Sequence, residues 1–506
     1  MHLKSWLIGI AVALGALVGS AGSPHAQTLR IGLAEDPDVL DPTQARTFVG
    51  RIVFAAMCDK LVDIDENLKI VPQLATSWEW SADNKALTMK LRQGVTFQDG
   101  EPFNAEAVKF NIERHKTMQG SNRKAELALV SGVDVVDPYT VRLDLSAPFA
   151  PLLATLADRA GMMVSPKAAR AEGDKFGAHP VCSGPFKFAE RVAQDRIVLE
   201  KYAGYWNKDA IHFDKVIYLP VVDNTVRLAN LQSGQLDFIE RLGTSDVQAV
   251  ERDSRLKVAK IVGLGYQGID LNVGKTEAAK TSLLGRDPRV REAFSLSLDR
   301  DALVQVVMDG QAVPGDQWVP PNSPFFAKNV PVPKRDLAKA KALLKEAGVP
   351  NPGFTLMTPT TNEAQKLGQV VQAMASEAGF NIKIQSTEFA TSLDLADKGQ
   401  FEAYILEWSG RADPDGNLYN FLACGAPINY TGYCRPEMDQ MLKAQRTTLD
   451  AAERQQLFDK IAALEATDAP IVYVYNRYWL WAYNKRLAGV RLVPDALLRV
   501  QGLKME

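Results

Sequence analysis

The chain has 506 residues, with 58 Lys and Arg against 60 Asp and Glu, a formal charge of -2. That length exceeds what one hydrophobic core organises, so two or more domains are expected. The balanced charge leaves no basic footprint for nucleic acid. Residues 1–26 read as a secretory signal: His2 and Lys4 precede an apolar run from Trp6 to Val18. A membrane span takes about 20 apolar residues, and this run is shorter. Cleavage is expected after Ala26, with Ala21 as the alternative. No Cys near the end of the run suggests a lipid anchor, and no later run is long enough to span.

Past the signal, Thr28 to Leu33 reads as a short strand and Gly50 to Leu61 as a helix, with Ile52, Val53, Ala56 and Met57 at helical spacing. Thr76 to Trp80 and Leu87 to Arg92 form a hairpin about Asp83-Asn84. Asn104 caps a helix running from Ala105 to about Met118. Beyond residue 330, Asp336 caps a helix ended by Gly348. The strand Phe354 to Met357 and the helix Glu363 to Ala378 follow. A strand with alternating Phe380, Ile382 and Ile384 comes next, then a short helix from Thr391 to Lys398. A strand from Phe401 to Trp408 completes a β-α-β-α-β pattern, the signature of an α/β lobe. Ser409-Gly410 ends that strand, and Asp413-Pro414-Asp415-Gly416 is turn chemistry. An indole, a guanidinium and carboxylates thus arrive together past a strand end, where ligands sit in open α/β sheets. An amphipathic helix from Ala451 to Ala466 and a strand from Ile471 to Tyr475 close the pattern. Export permits disulfides. Of the four cysteines, Cys424 and Cys434 pair by proximity and Cys58 with Cys182 by elimination; the alternative for the second pair is two buried free thiols.

One long block carries a family resemblance. Leu61-Val62, Pro72-x-Leu74-Ala75-x-Ser77-Trp78, Leu91-Arg92-x-Gly94-Val95-x-Phe97-x-Asp99-Gly100 and Asn104-Ala105-x-x-Val108 follow in order. The block resembles the large solute-binding proteins of ABC importers, the dipeptide, oligopeptide, glutathione and nickel group. Val135 to Val141, Ser183-Gly184-Pro185-Phe186, Tyr205-Trp206, Arg227 to Asp237 and Asp287 to Arg300 extend the likeness over most of residues 28–500. The resemblance implies an α/β, two-lobed periplasmic binding protein with a hinge and a hairpin-rich subdomain at 71–170. The first lobe would span 27–265, completed by 476–506, and the second 266–475. Residues 266–273 and 470–475 would cross between them. It also implies a monomer in the periplasm that takes a solute between the lobes without a cofactor. The solute would pass to a permease and an ATPase on separate chains.

The residues give an enzyme little to work with. Past the signal the histidines are His115, His179 and His212, and no zinc, nucleophile-elbow or phosphate-loop motif is present. Soft or imidazole ligands are too sparse for a bare metal site. A periplasmic hydrolase built on carboxylates alone is the rival from another class. In the peptide-binding relatives the late loop reads Trp-x-x-Asp, and that Asp meets the peptide amine; this chain reads Trp408-Ser409-Gly410-Arg411. Two like charges about 4 Å apart cost roughly 4 kcal/mol at an effective dielectric of 20, about three decades of affinity. Pointing inward, Arg411 would reject a free ammonium, and its planar fork suits a carboxylate or phosphate; the alternative is that it faces solvent. Asp413 is expected to pair with Arg411 or to receive a cationic group. Trp408 and Tyr266 are candidates for apolar walls, Arg123 for an anion contact from the first lobe, and Asn429 and Tyr430 for hydrogen bonds from the Cys424–Cys434 loop. An acidic peptide or opine suits this set, with an oligosaccharide receptor of the same fold as the alternative.

Overall fold

The computed structural model describes residues 27–506; the expected signal and its cleavage site lie outside them. A 12-stranded sheet runs through the molecule. From one edge it goes Asn381–Thr387, Gly353–Pro359, Ala403–Trp408, Tyr266–Leu271 and Ile471–Asn484, then Phe238–Ile239, Thr28–Leu33, Lys215–Pro220, Arg196–Lys201 and Phe186–Val192. The strand Ile471–Asn484 belongs to both halves. Its first part pairs antiparallel with Tyr266–Leu271 and Ala312–Pro314, and its second with Leu256–Val262 and Phe238–Ile239. Each half keeps its own core. One gathers Leu29, Ile31, Phe54, Leu199, Val216, Trp479 and Trp481; the other gathers Ile269, Phe294, Leu344, Leu356, Val371 and Ile405. These are two lobes. A four-stranded antiparallel sheet, Ala75–Trp80, Ala86–Leu91, Thr140–Leu145 and Val130–Asp137, forms a third core on the first lobe with Phe97, Phe103 and Val108.

Local sequence explains most elements. Asn104 accepts a hydrogen bond from Ala107 N at 3.0 Å and starts the helix Ala105–Thr117. Asp336 does the same for Leu337–Glu346 through Lys339 N. Most boundaries shift by one or two residues, and three differ in a way that has a structural reason. The first helix is Phe48–Met57 and stops short of Leu61. Cys58 turns extended to meet Cys182, and the Gly184 backbone presses on Met57 so closely that a Cβ there would lie 2.5 Å from its carbonyl carbon. Asp413 to Gly416 is the entry of a helix, Asp415–Leu422, rather than a plain turn. Asp and Pro serve both structures, and the Leu418, Phe421 and Leu422 face decides by burying. The late strand does not end at Tyr475 but runs 14 residues to Asn484. Both disulfides form, Cys58–Cys182 and Cys424–Cys434, with Cα separations of 4.9 and 4.6 Å.

Candidate functional site

Strand Ala403–Trp408 delivers its last residue to the seam between the lobes, where Trp408 pairs with Tyr266. Two glycines let the following loop lie flat on the crossing segment. A Cβ on Gly265 would sit 1.7 Å from the Trp408 carbonyl oxygen, and Gly410, at φ 85°, would collide with Leu264. Asn417, one turn into the next helix, fastens the loop. Its Oδ1 accepts from Trp408 Nε1 at 2.9 Å and from Arg411 N at 2.8 Å, while its Nδ2 donates to Leu264 O at 3.1 Å. Arg411 is thereby aimed across the cleft. Its guanidinium carbon lies 4.4 Å from the Trp408 ring centroid, a cation–π contact. Its Nε stands 2.9 Å from Asp158 Oδ2 on the first lobe.

Asp158 sits amid guanidinium groups. Its Oδ1 accepts from Arg51 Nε at 3.0 Å and from Arg159 N at 2.8 Å. The Ala45 carbonyl accepts from Arg159 Nη1 at 2.7 Å and Arg123 Nη2 at 3.3 Å, and Arg123 also pairs with Glu126. Arg51, Arg123, Arg159 and Arg411 thus face Asp158 and Glu126, a surplus of two positive charges. Burial works to raise Asp158, but Arg51, Arg411, Arg159 and Arg123 hold its carboxyl well below the usual range. Burial brings Arg411 down to about 10, opposed by Asp158 and reinforced by Arg51 and Arg123. Three donors here, Arg51 Nη1, Arg123 Nε and Arg159 Nε, are buried without an acceptor. Their side chains are 2–4% exposed. An unmatched buried charged donor costs on the order of 1–3 kcal/mol or more. Chemically, these three donors can take up anionic oxygen.

The other expected residues divide. Arg123 joins the cluster instead of closing from a solvated loop, because Ala45 and Glu126 fix it. Asp413 pairs with neither Arg411 nor a free space: Arg454 Nη1 and Nη2 each donate to it at 2.7 Å, and it caps Asp415 N. Tyr266 is 3% exposed, edge-on to Tyr473 and Phe421, and its hydroxyl has no partner. Asn429 braces its own loop, donating to Ala423 O at 3.0 Å and Tyr433 O at 2.7 Å and accepting from Thr431. Tyr430 packs on Met357, Tyr404 and Leu406. His115 is buried against Thr43 and stays neutral, pushed down to about 3 by burial and by Arg114 and Arg123. Arg51, Asp158, Arg159 and Asn417 escaped the sequence reading. The signal was one charge inside a helix, Phe48–Met57, otherwise apolar on every face.

The lobes touch at further points. Ala150 N donates to Arg446 O at 2.8 Å, Thr244 Oγ1 to Asp309 Oδ2 at 2.7 Å, and Arg46 lies 4.0 Å from Asp397. The cleft is therefore closed.

Comparison with known proteins places the chain among relatives of the same fold. The family described as bacterial extracellular solute-binding proteins, family 5, matches residues 69–429. The glutathione-binding protein GsiB of Pectobacterium atrosepticum is 30% identical, covering 98% of this chain and 97% of that protein. Among solved structures, the periplasmic binding protein DppA of Helicobacter pylori with peptide STSA superposes with a TM-score of 0.86 at 25% identity, covering 95% of this chain and 98% of that one. AgaA of A. tumefaciens R10 with agropinic acid gives 0.85 at 26% identity, with coverage of 95% and 99%.

Proposed function

This chain belongs to the bacterial extracellular solute-binding proteins of family 5, and on that premise we propose that its cleft selects an acidic, peptide-like solute. As a member of the family it is a solute receptor of an ABC importer. No described helix is long and apolar enough to cross a membrane. In our reading it acts in the periplasm as a monomer and passes its solute to a permease and ATPase on separate chains.

The observation that carries the reading is the four-guanidinium cluster around Asp158, with its surplus charge and three unmatched buried donors. An acid group of the solute supplies the missing acceptors. Charge-assisted bonds of this kind are about twice as strong as neutral ones, and closure strengthens them by excluding water. Arg411 comes from the second lobe and Arg51, Arg123 and Arg159 from the first, so an anion held by both draws the lobes together. Trp408, stacked on Arg411, offers the adjoining apolar surface. The relatives bind solutes of this kind: glutathione in the case of GsiB and agropinic acid in that of AgaA. The test is mass spectrometry of the small molecule released on denaturing protein purified from the periplasm. An acidic peptide or opine is expected. A neutral sugar as the sole solute overturns the reading.

A further inference from the structure

A second charged cluster joins the lobes at the hinge, and its sign is opposite. Arg477 stands on the crossing strand at the last residue paired to the second lobe, Ala312↔Arg477, one before the first-lobe pair Val262↔Tyr478. From the second lobe, Glu363 of the helix Asn362–Ser376 and Glu407 of the strand Ala403–Trp408 both form close ion pairs with it. Tyr475 donates its hydroxyl to Glu363 at 3.1 Å. From the first lobe come Glu35, just past Thr28–Leu33, and Glu240 and Arg241, just past Phe238–Ile239. Arg241 lies 3.3 Å from Glu35 and 3.5 Å from Glu240. Arg241 and Arg477 both face the ring of Trp479, at 5.7 and 5.5 Å. Arg227 of the helix Asn224–Gln232 donates to the Arg241 carbonyl at 2.7 Å and is the remaining cation near Glu240.

Four carboxylates therefore share two guanidinium groups at the seam, with Arg227 behind them. Glu35, Glu363 and Glu407 keep 32%, 32% and 27% of their side chains open, so protons reach them. Glu35 and Glu407 belong to different lobes, and opening the hinge separates them. Closing brings their charges together in a drier space, where repulsion between unit charges is several times stronger than in water. We propose that closure of the lobes takes up a proton at the Glu35 and Glu407 edge of this cluster, so that acidification favours the closed form. Directions agree. Burial, with Glu240 and Glu407, pushes Glu35 up against the pull of Arg241. Burial, and Glu363 within the same lobe, push Glu407 up against the pull of Arg477 and, from across the seam, of Arg241. Glu363, which also holds the Tyr475 hydroxyl, stays low through Arg477. Groups that bind protons more tightly when closed make closing more favourable as pH falls.

The test reads closure itself and needs no solute, so it stands apart from the identity of the cargo. Donor and acceptor dyes go on bio-orthogonal residues that replace the exposed Val136 of the first lobe and Val306 of the second. Attachment avoids thiol chemistry, since an introduced thiol could exchange with the two disulfides. Energy transfer is followed from pH 8 to pH 5.5 in the full mature chain. The closed-to-open ratio is expected to rise, by about tenfold per pH unit at most if one proton is taken up. Glu407→Gln and Glu35→Gln, each checked by thermal melt, are expected to close more at pH 8 and to flatten the profile. A ratio that does not change with pH in the wild type overturns the proposal. So does a slope that persists in both variants.

Discussion

Arg411 and Asp158 make the closest inter-lobe ion pair in the cationic cluster, and their substitutions should act in opposite senses. Arg411→Ala removes one charge-assisted contact to the solute, and affinity for an acidic peptide should fall by about tenfold or more. Calorimetry that shows an unchanged dissociation constant would sink the role given to Arg411. Asp158→Asn removes the counter-charge of Arg51 and Arg411 instead. Breaking a buried pair costs about 3–5 kcal/mol, so the empty protein should melt earlier. The variant then holds three unbalanced guanidinium groups, and an acidic solute should raise its Tm by more than it raises that of the wild type. A smaller rise would show that Asp158 serves only to position Arg51 and Arg411. Arg411 was legible in the sequence because it replaces an acid at a fixed distance from a tryptophan. Arg51 and Arg159 were not, because each lies among core residues and acquires a role only when distant segments meet.

Elements show the same division between local and distant signals. Caps such as Asn104 and Asp336 were readable because the side chain bonds its own helix. The Asp413 to Gly416 entry was ambiguous because turns and helix starts use the same residues. The crossing strand looked finished at Tyr475 because Asn476 and Arg477 break its apolar run. In the fold those two face the seam: Asn476 Nδ2 donates to Gly265 O at 2.7 Å, and Arg477 meets Glu363 and Glu407. The disulfides differ in the same respect. Cys424–Cys434 closes a separation of 10 residues, whereas Cys58–Cys182 closes 124 and ties the first helix to the Gly184 loop. Loop-closure entropy makes the long bridge worth about 4–5 kcal/mol and the short one less, about 3. Replacing Cys58 and Cys182 with Ser should lower the denaturation midpoint by more than replacing Cys424 and Cys434. Equal losses in chemical denaturation would show that the entropy of the unfolded chain does not set the difference.

At the scale of the molecule, burial sets how stability responds to pH. Asp59, Asp270 and Glu465 lie in three different places: beside Trp206 in the first lobe, on the strand Tyr266–Leu271, and at Tyr473 in the second lobe. Burial is the main cause in each case, and it pushes them up to about 7, about 7 and about 8. In the unfolded chain such carboxyls titrate near about 4. Between about pH 4 and pH 8 the folded state thus holds protons that the unfolded state has lost, so stability must fall as pH rises through that window. Carboxyls held low by neighbouring cations, Asp63 by Lys60 and Arg499 and Asp158 by Arg51 and Arg411, act in the opposite sense, but they lose their contribution only on acidification below about pH 4. The melting temperature of the mature protein should therefore be higher at pH 5.5 than at pH 8. Asp270→Asn stays neutral throughout and removes one such group, worth at most about 4 kcal/mol across its shift. Its melting temperature should fall less steeply over the same range. Glu407 is one raised carboxyl beside Asp59, Asp270 and Glu465, so Glu407→Gln should leave most of this slope in place. A wild-type melting temperature that rises toward pH 8 would mean that these buried acids are ionised in the fold and paired with cations.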